Sequence, residues 1–352
     1  MFDLQNFLYQ AVQSGASDLH LEEGAQPAVR INGEVNFLDM PELSPDDIDM
    51  ILNTLIDEYS YDEYAKYGDA DLSYQIPGVC RFRVNVLNHY SGRGAVMRII
   101  PNDIPTIDDL GLPESLKSIA DAQKGLVLVT GPTGSGKTTT LASIINHINT
   151  TRAAHIITIE DPIEFIHEPK KSYIEQRQVG THVPTFSQAL TAALRESPDV
   201  IMVGEMRDLN TIRQALRAAE TGHLVLGTLH TNSVAQTTSR LVDVFPPTEQ
   251  GSVRALIATV LQACVCQQLM PARGGGRVAA MEILINNHSI TSVLREGRFN
   301  QLHTFMRMGR KEGMQTFDYH LRELVRNQRV DFDTAAEYAS DIENLMSKDG
   351  DY

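Results

Sequence analysis

The sequence predicts an α/β protein: a parallel sheet with helices on both faces, a smaller α+β domain ahead of it and a helical segment behind. Three observations carry this. Residues 131–138 read Gly-Pro-Thr-Gly-Ser-Gly-Lys-Thr, which matches G-x-x-x-x-G-K-[ST] at every position and follows the apolar run Leu126-Val127-Leu128-Val129. Strand-like runs at residues 126–130, 155–159, 200–203 and 224–228 alternate with helical patterns, the arrangement that buries a parallel sheet on both faces. Ahead of them, residues 100–105 hold two prolines and no periodicity, which is how a hinge between domains reads.

The octet Gly131, Pro132, Thr133, Gly134, Ser135, Gly136, Lys137 and Thr138 predicts a nucleoside triphosphate site. Glycines let successive backbone N–H groups curl around the β-phosphate, Lys137 reaches the β/γ oxygens, and the Thr138 hydroxyl ligates Mg²⁺. Thr139 belongs to the same binding set, and the expected cofactors are ATP and Mg²⁺. Leu141, Ile144, Ile145 and Ile148 recur at helical spacing and supply the helix whose N-terminus faces the phosphates.

In chain order, Leu4, Phe7, Leu8, Ala11 and Val12 make one apolar helix face, ended by Gln13-Ser14-Gly15. Ala28-Val29-Arg30-Ile31 and Glu34-Val35-Asn36-Phe37 flank the two-residue turn Asn32-Gly33, a hairpin signal. Ser44-Pro45-Asp46-Asp47 reads as a helix start, with a capping serine, an early proline and carboxylates at the positive end, ahead of Ile48, Ile51, Leu52, Leu55 and Ile56. Two strands follow, at residues 80–87 and 94–100; in the first, Phe82, Val84 and Val86 point one way and Arg81, Arg83 and Asn85 the other. The alternating core beyond the hinge is RecA-like. From about Ser289 the chain is mainly helical, with Phe317, His320, Leu321, Leu324 and Val325 at helical spacing. The expected organisation is a domain at 1–100, a linker at 101–106, the ATPase core at 107–288 and a helical segment at 289–352.

Composition narrows the function classes. With 352 residues, 42% hydrophobic and 21% charged, the chain is long enough for two ordinary globular domains. Its longest apolar stretch, residues 255–265, is interrupted by Thr259 and Gln262 and is too short to span a bilayer. Met1-Phe2-Asp3 begins without a basic stretch, so no signal peptide is expected and the expected place is the cytoplasm. Three cysteines, Cys80, Cys264 and Cys266, make neither a disulfide scaffold nor a four-thiolate zinc site and are expected as buried free thiols. The net charge of −15 argues against an extended nucleic-acid surface and so against a DNA translocase on the same core.

Further candidate residues sit where strands should exit. Glu160-Asp161-Pro162-Ile163-Glu164 follows the strand at 155–159, at the sheet edge where α/β proteins bind ligands; one of its carboxylates is placed to orient or deprotonate an attacking water. Glu205, after 200–203, occupies the position at which such enzymes hold Mg²⁺ or its water. His230, after 224–228, is placed to sense the γ-phosphate, whereas His223 after Gly222 reads equally as a helix C-terminal cap. Arg81, Arg83 and Arg98 lie on two strands that can pair, and they serve either as a phosphate clamp or as ordinary ion-pair partners.

These segments, in this order, resemble the type IV pilus retraction ATPases, the PilT/PilU branch of the secretion ATPase superfamily, over nearly the whole chain. Residues 131–138 resemble the Walker A box, 160–164 the Asp box, Gly204-Glu205-Met206-Arg207-Asp208 the Walker B box and 221–230 the His box. Gly15-Ala16-Ser17-Asp18-Leu19-His20-Leu21 and Gly313-Met314-Gln315-Thr316-Phe317-Asp318 also look like this family. The resemblance implies a PAS-like N-terminal domain joined by a flexible linker to the RecA-like core, a ring homohexamer, and hydrolysis of Mg-ATP that powers pilus retraction and twitching motility. It implies Glu164 as the catalytic carboxylate with Glu160 beside it, Glu205 as the magnesium-side acid, His230 as a conformational sensor, and Arg83 and Arg98 as phosphate-reaching arginines. The implied partner is the inner-membrane platform protein of the pilus, and the implied place is the cytoplasmic face of that membrane, without insertion and without nucleic acid.

Assembly ATPases of pili and type II secretion usually carry longer N-terminal regions and a tetracysteine zinc module; neither is seen in this sequence, which favours retraction over extension. The alternatives are an accessory subunit of the PilU kind that assists a paralogous retraction ATPase, and an assembly or type II secretion ATPase. Two departures bear on these. Ser289-Ile290-Thr291-Ser292-Val293-Leu294-Arg295-Glu296 stands where the family's C-terminal helix typically reads Ala-Ile-Arg-Asn-Leu-Ile-Arg-Glu, and Thr191 and Ser197 stand where relatives commonly carry an arginine and an aspartate.

Overall fold

In the computed structural model, which describes every residue except 1, 32, 101, 102, 343, 344 and 346–352, the Asp3 carboxylate caps the first helix by accepting from the Asn6 N–H. That helix, α1 (Leu4–Gln13), turns Leu4, Phe7, Leu8 and Ala11 inward, as the spacing predicts. It is followed by β1 (Asp18–Glu22), β2 (Ala28–Ile31), β3 (Glu34–Phe37), α2 (Pro45–Leu55), α3 (Glu58–Tyr67), β4 (Asp69–Ile76), β5 (Cys80–His89) and β6 (Gly92–Ile100). The six strands form one antiparallel sheet in the order β3-β2-β1-β6-β5-β4. Leu8, Leu19, Ile48, Phe82 and Met97 are fully buried in the core against it. Ser44 and Asp47 make a reciprocal capping box at the start of α2, each side chain accepting the other's backbone N–H at 3.2 Å.

The alternation in β5 holds: Phe82, Val84 and Val86 are buried, and Arg81, Arg83 and Asn85 are on the opposite face. The register sets Arg83 directly opposite Arg98, and Arg98 opposite Asp18, so one sheet face gathers both signs of charge. β2 and β3 pair as the hairpin predicted, with Gly33 at φ 89°; Asn32 of the expected turn lies outside the described residues, as do Pro101 and Asn102 of the expected hinge. Periodicity did not reveal β1, α3 or β4. Helix α3 buries only Ser60 among its ten residues, so it has no apolar stripe to detect, and its signals are the Asp57 cap and Gly68 in the left-handed region at its end.

The second part of the chain adds α4 (Ser115–Ala120), β7 (Gly125–Thr130), α5 (Lys137–Thr151), β8 (His155–Glu160), β9 (Tyr173–Gln178), α6 (Phe186–Ala193), β10 (Val200–Val203), α7 (Leu209–Glu220), β11 (Leu224–Leu229), α8 (Val234–Asp243), α9 (Pro247–Val260), β12 (Leu261–Pro271) and β13 (Arg277–Ile285). A helical segment follows with α10 (His288–Glu296), α11 (Leu302–Met308), α12 (Phe317–Arg326) and α13 (Phe332–Tyr338). The sheet order is β13-β12-β7-β11-β10-β8-β9, and the four strands predicted from sequence pair in parallel as β7-β11-β10-β8. Every residue of β7, β10 and β11 is buried, as a two-sided parallel sheet requires.

The apolar stretch at 255–265 is two elements. Helix α9 ends at Val260 and β12 starts at Leu261, parallel to β7, before β13 returns antiparallel to it. Asn286 makes the abrupt change possible: its side-chain amide donates to the Ala258 and Leu261 carbonyls, at 3.1 and 2.8 Å, where the helix can no longer satisfy them. A mostly apolar run carries no period that separates buried helix from buried strand. The three cysteines are free and buried, and burial pushes the Cys80 and Cys266 thiols up to about 11 and about 12, where they are inert.

By their internal contacts the residues form two units. One contains the residues up to Ile104 together with Glu160–His167 and Gln176–Pro184; the other contains Pro105–Ile159, Glu168–Glu175 and the described residues from Thr185 onward.

Helix α12 packs on β13 through His320, whose Nδ1 accepts the Met281 N–H at 2.9 Å. Burial drives this imidazole from its ordinary 6.5 down to about 4. The unfolded chain therefore takes up the proton first as pH falls. Stability tied to the neutral ring is complete above 6.5, erodes between 6.5 and 4, and is gone below, a loss of about 3 kcal/mol. His320→Asn, which keeps an acceptor but does not titrate, is expected to flatten this limb in urea unfolding of the full chain at graded pH; an unchanged limb would place the titration elsewhere.

Candidate functional site

The phosphate loop is built between a buried strand and a helix start. Gly131 leaves β7 at φ 147°, and a Cβ there would lie 2.2 Å from the Gln267 carbonyl oxygen on β12, so only glycine fits. Gly136, at φ 86°, is the N-cap of α5, which begins without a side-chain cap and so presents its N-terminal N–H groups to an anion. Lys137 is buried, and its ammonium folds back over the loop, donating to the Gly131 and Pro132 carbonyls at 2.9 Å each. Gln267 braces the loop from below through a 2.6 Å hydrogen bond to the Ser135 carbonyl.

Glu205 sits on a backbone held on both sides. The Gly204 N–H donates to the Ile159 carbonyl at 2.7 Å, the Met206 N–H to the Thr228 carbonyl at 3.0 Å, and the Thr228 hydroxyl to the Gly204 carbonyl. The carboxylate is mostly buried, and one oxygen, Oε1, meets both the Arg207 guanidinium and His230 Nε2, the latter at 3.1 Å. His230 Nδ1 in turn faces the Lys137 ammonium at 3.5 Å. The imidazole therefore donates from Nε2 and accepts at Nδ1, linking the loop lysine to the acid after β10. The turn carrying His230 is anchored by a 2.6 Å contact between the Thr231 and Thr237 hydroxyls and by buried Glu282, which accepts the Val234 N–H at 2.8 Å. Burial raises the Glu282 carboxyl above its ordinary value. His223 is a helix-end residue, bonded to Ala218 and Thr221 at the close of α7.

The other predicted residues lie in the first unit. Glu160 ends β8 and is 5% exposed. It accepts from the Gln176 amide at 3.2 Å, and its charge opposes the depression that burial imposes on the Arg81 guanidinium, whose Nη2 donates to the Ser73 hydroxyl at 2.6 Å. Glu164 is more accessible and pairs with Arg83 Nη1 at 3.5 Å, while Arg83 Nη2 is 3.7 Å from Asp71. Arg98 binds Asp18 through Nε at 2.9 Å, and Arg30 approaches the same carboxylate at 3.7 Å. Burial works to raise the Asp18 carboxyl, yet its hydrogen bonds from Arg98 and Ser17 and the two arginine charges hold it below the usual range. The arginines are thus seen as ion-pair partners. The structure brings Lys137, His230 and Glu205 together in one unit, and Arg83 and Glu164 in the other.

A divalent cation fits the donors present. Among the described residues no three His, Cys, Asp or Glu side chains converge on one point. Mg²⁺ keeps waters and takes one or two protein oxygens plus substrate phosphates, and the half-buried Thr138 hydroxyl and the Glu205 carboxylate would be the oxygens available to it here.

The family model described as "Type II/IV secretion system protein" matches residues 2–329. The type IV pilus retraction ATPase PilT of Pseudomonas aeruginosa is 46% identical over 97% of this chain and 100% of its own length. The type IV pilus ATPase PilU of the same organism is 36% identical over 97% of this chain and 90% of its own. A crystal structure of the pilus retraction motor PilT with bound ADP superimposes with a TM-score of 0.90 at 44% identity, covering 97% of this chain and 98% of that one. The chain belongs to the type II/IV secretion system family, in its pilus retraction ATPase branch. It is an ATP-hydrolysing, nucleotide-binding enzyme. Among the described residues of this ATPase no helix is long and apolar enough to cross a membrane.

Sequence reasoning gave no role to three residues that complete this site. Arg207 lies within the Walker B segment, next to the acid it touches. Gln267 carried a faint signal, a Gln-Gln pair inside an apolar strand, and Glu282 another, a lone carboxylate within the buried run of β13.

Proposed function

We propose that this ATPase is a homohexameric, Mg-ATP-driven motor that powers type IV pilus retraction, working on the inner-membrane platform protein from the cytoplasmic face. The observation that carries this reading is identity of 46% with a retraction ATPase over 97% of this chain and 100% of that one. In the proposed cycle Lys137 turns from the loop carbonyls to the β/γ oxygens, and the α5 N-terminus binds the β-phosphate. The cation, beside Thr138 and Glu205, would neutralise developing phosphate charge. Glu164 orients or deprotonates the attacking water, Glu160 supports it, His230 senses the γ-phosphate, and Arg83 and Arg98 exchange their carboxylate partners for phosphate oxygens. Boundaries at 100 and 107, with a hinge between them, are part of the same proposal, since opening and closing there would turn hydrolysis into motion.

Deleting the gene tests the function. Accumulation of surface pili with loss of twitching is the expected result. Loss of pili would mean assembly, and normal piliation and twitching while a paralogous motor is present would mean the accessory role.

A further inference from the structure

The Glu205 carboxylate must meet a cation to act on the nucleotide, yet in the structure its Oε1 is already engaged by the Arg207 guanidinium and His230 Nε2. The backbone on which it stands cannot yield, because residues 204 and 206 are tied to the strands on either side. Arg207 is different. Its side chain is 72% exposed against 17% for Glu205, and it lies on the short link between β10 and the Asp208 cap of α7. Displacing an exposed guanidinium costs less than displacing a mostly buried carboxylate. His230 differs too, since its Nδ1 faces Lys137 and its position follows the phosphate loop.

We propose that Arg207 is a gating residue that competes with the divalent cation for Glu205, and so sets the Mg²⁺ concentration at which nucleotide is bound tightly. This rests on the reading of Glu205 as the magnesium-side acid. Guanidinium and Mg²⁺ seek the same carboxylate, and repulsion between the two positive charges disfavours holding both there, so the cation enters as Arg207 leaves. Arg207 does not touch the reacting phosphate in this scheme; it positions Glu205 and delays its use.

The test is ADP binding by calorimetry to the full chain across a Mg²⁺ series, for wild type, Arg207→Ala, Arg207→Lys, Glu205→Gln and the double variant Arg207→Ala/Glu205→Gln. Arg207→Ala is expected to lower the half-saturating Mg²⁺ concentration about two- to fivefold, the scale set by an exposed ion pair, with Arg207→Lys between it and wild type. The Arg207→Ala shift should vanish when Glu205→Gln is already present, because the competition needs the carboxylate. An unchanged or raised Mg²⁺ requirement in Arg207→Ala, or a shift that persists beside Glu205→Gln, would overturn the gate while leaving Glu205 at the metal. ADP binding by wild type with no Mg²⁺ dependence at all would overturn both.

Discussion

Lys137→Ala is expected to abolish ATP hydrolysis, with turnover falling by roughly 10²- to 10³-fold or more, the scale for removing one fixed donor from a phosphoryl-transfer site. The lysine is buried at the start of α5, between two loop carbonyls and His230, so its charge is poorly screened and already aimed at the loop. Alanine leaves the loop glycines and their N–H groups in place, so ADP binding should weaken less than turnover does. Steady-state phosphate release from the purified variant, beside circular dichroism to confirm folding, measures this. Wild-type turnover in a folded Lys137→Ala protein would remove the assignment of 131–138 as the catalytic nucleotide loop.

Glu164→Gln is expected to cut turnover by roughly 10²-fold with little change in thermal stability, as for loss of a positioned acid–base group. Its carboxylate is partly exposed and meets Arg83 at 3.5 Å, a long contact that leaves it able to reorient toward a water. Glu160→Gln should behave differently. That carboxylate is buried, and its charge offsets the burial of Arg81, so the amide leaves a guanidinium uncompensated and the expected loss is chiefly stability. Turnover and melting temperature for both variants separate the two roles. Far greater damage to turnover from Glu160→Gln, at a melting temperature equal to that of Glu164→Gln, would transfer the role of base to Glu160.

Much of this protein follows from local chemistry and is readable in the sequence. The phosphate loop needs glycine where φ is positive and lysine at one offset, so the motif alone located it. The strands β7, β10 and β11 are buried throughout and β8 at all but its first residue, so they read as mainly apolar runs, and the Ser44 cap and the alternation along β5 need only neighbours within a few residues. Tertiary structure decided what depends on residues far apart in the chain. Helix α9 and β12 are continuous in hydrophobicity, and only the Asn286 amide, brought in at the end of β13, marks where one becomes the other. Gln267 stands 132 residues from the Ser135 carbonyl it braces, and Glu282 is 48 from the Val234 N–H it accepts, so the faint local signal at each names no partner. The same holds for the charges: sequence placed Arg83 and Arg98 on two strands that can pair and Glu205 and His230 where strands exit, but which carboxylate each cation meets was set by strand register and by the loops that cross the sheet edge.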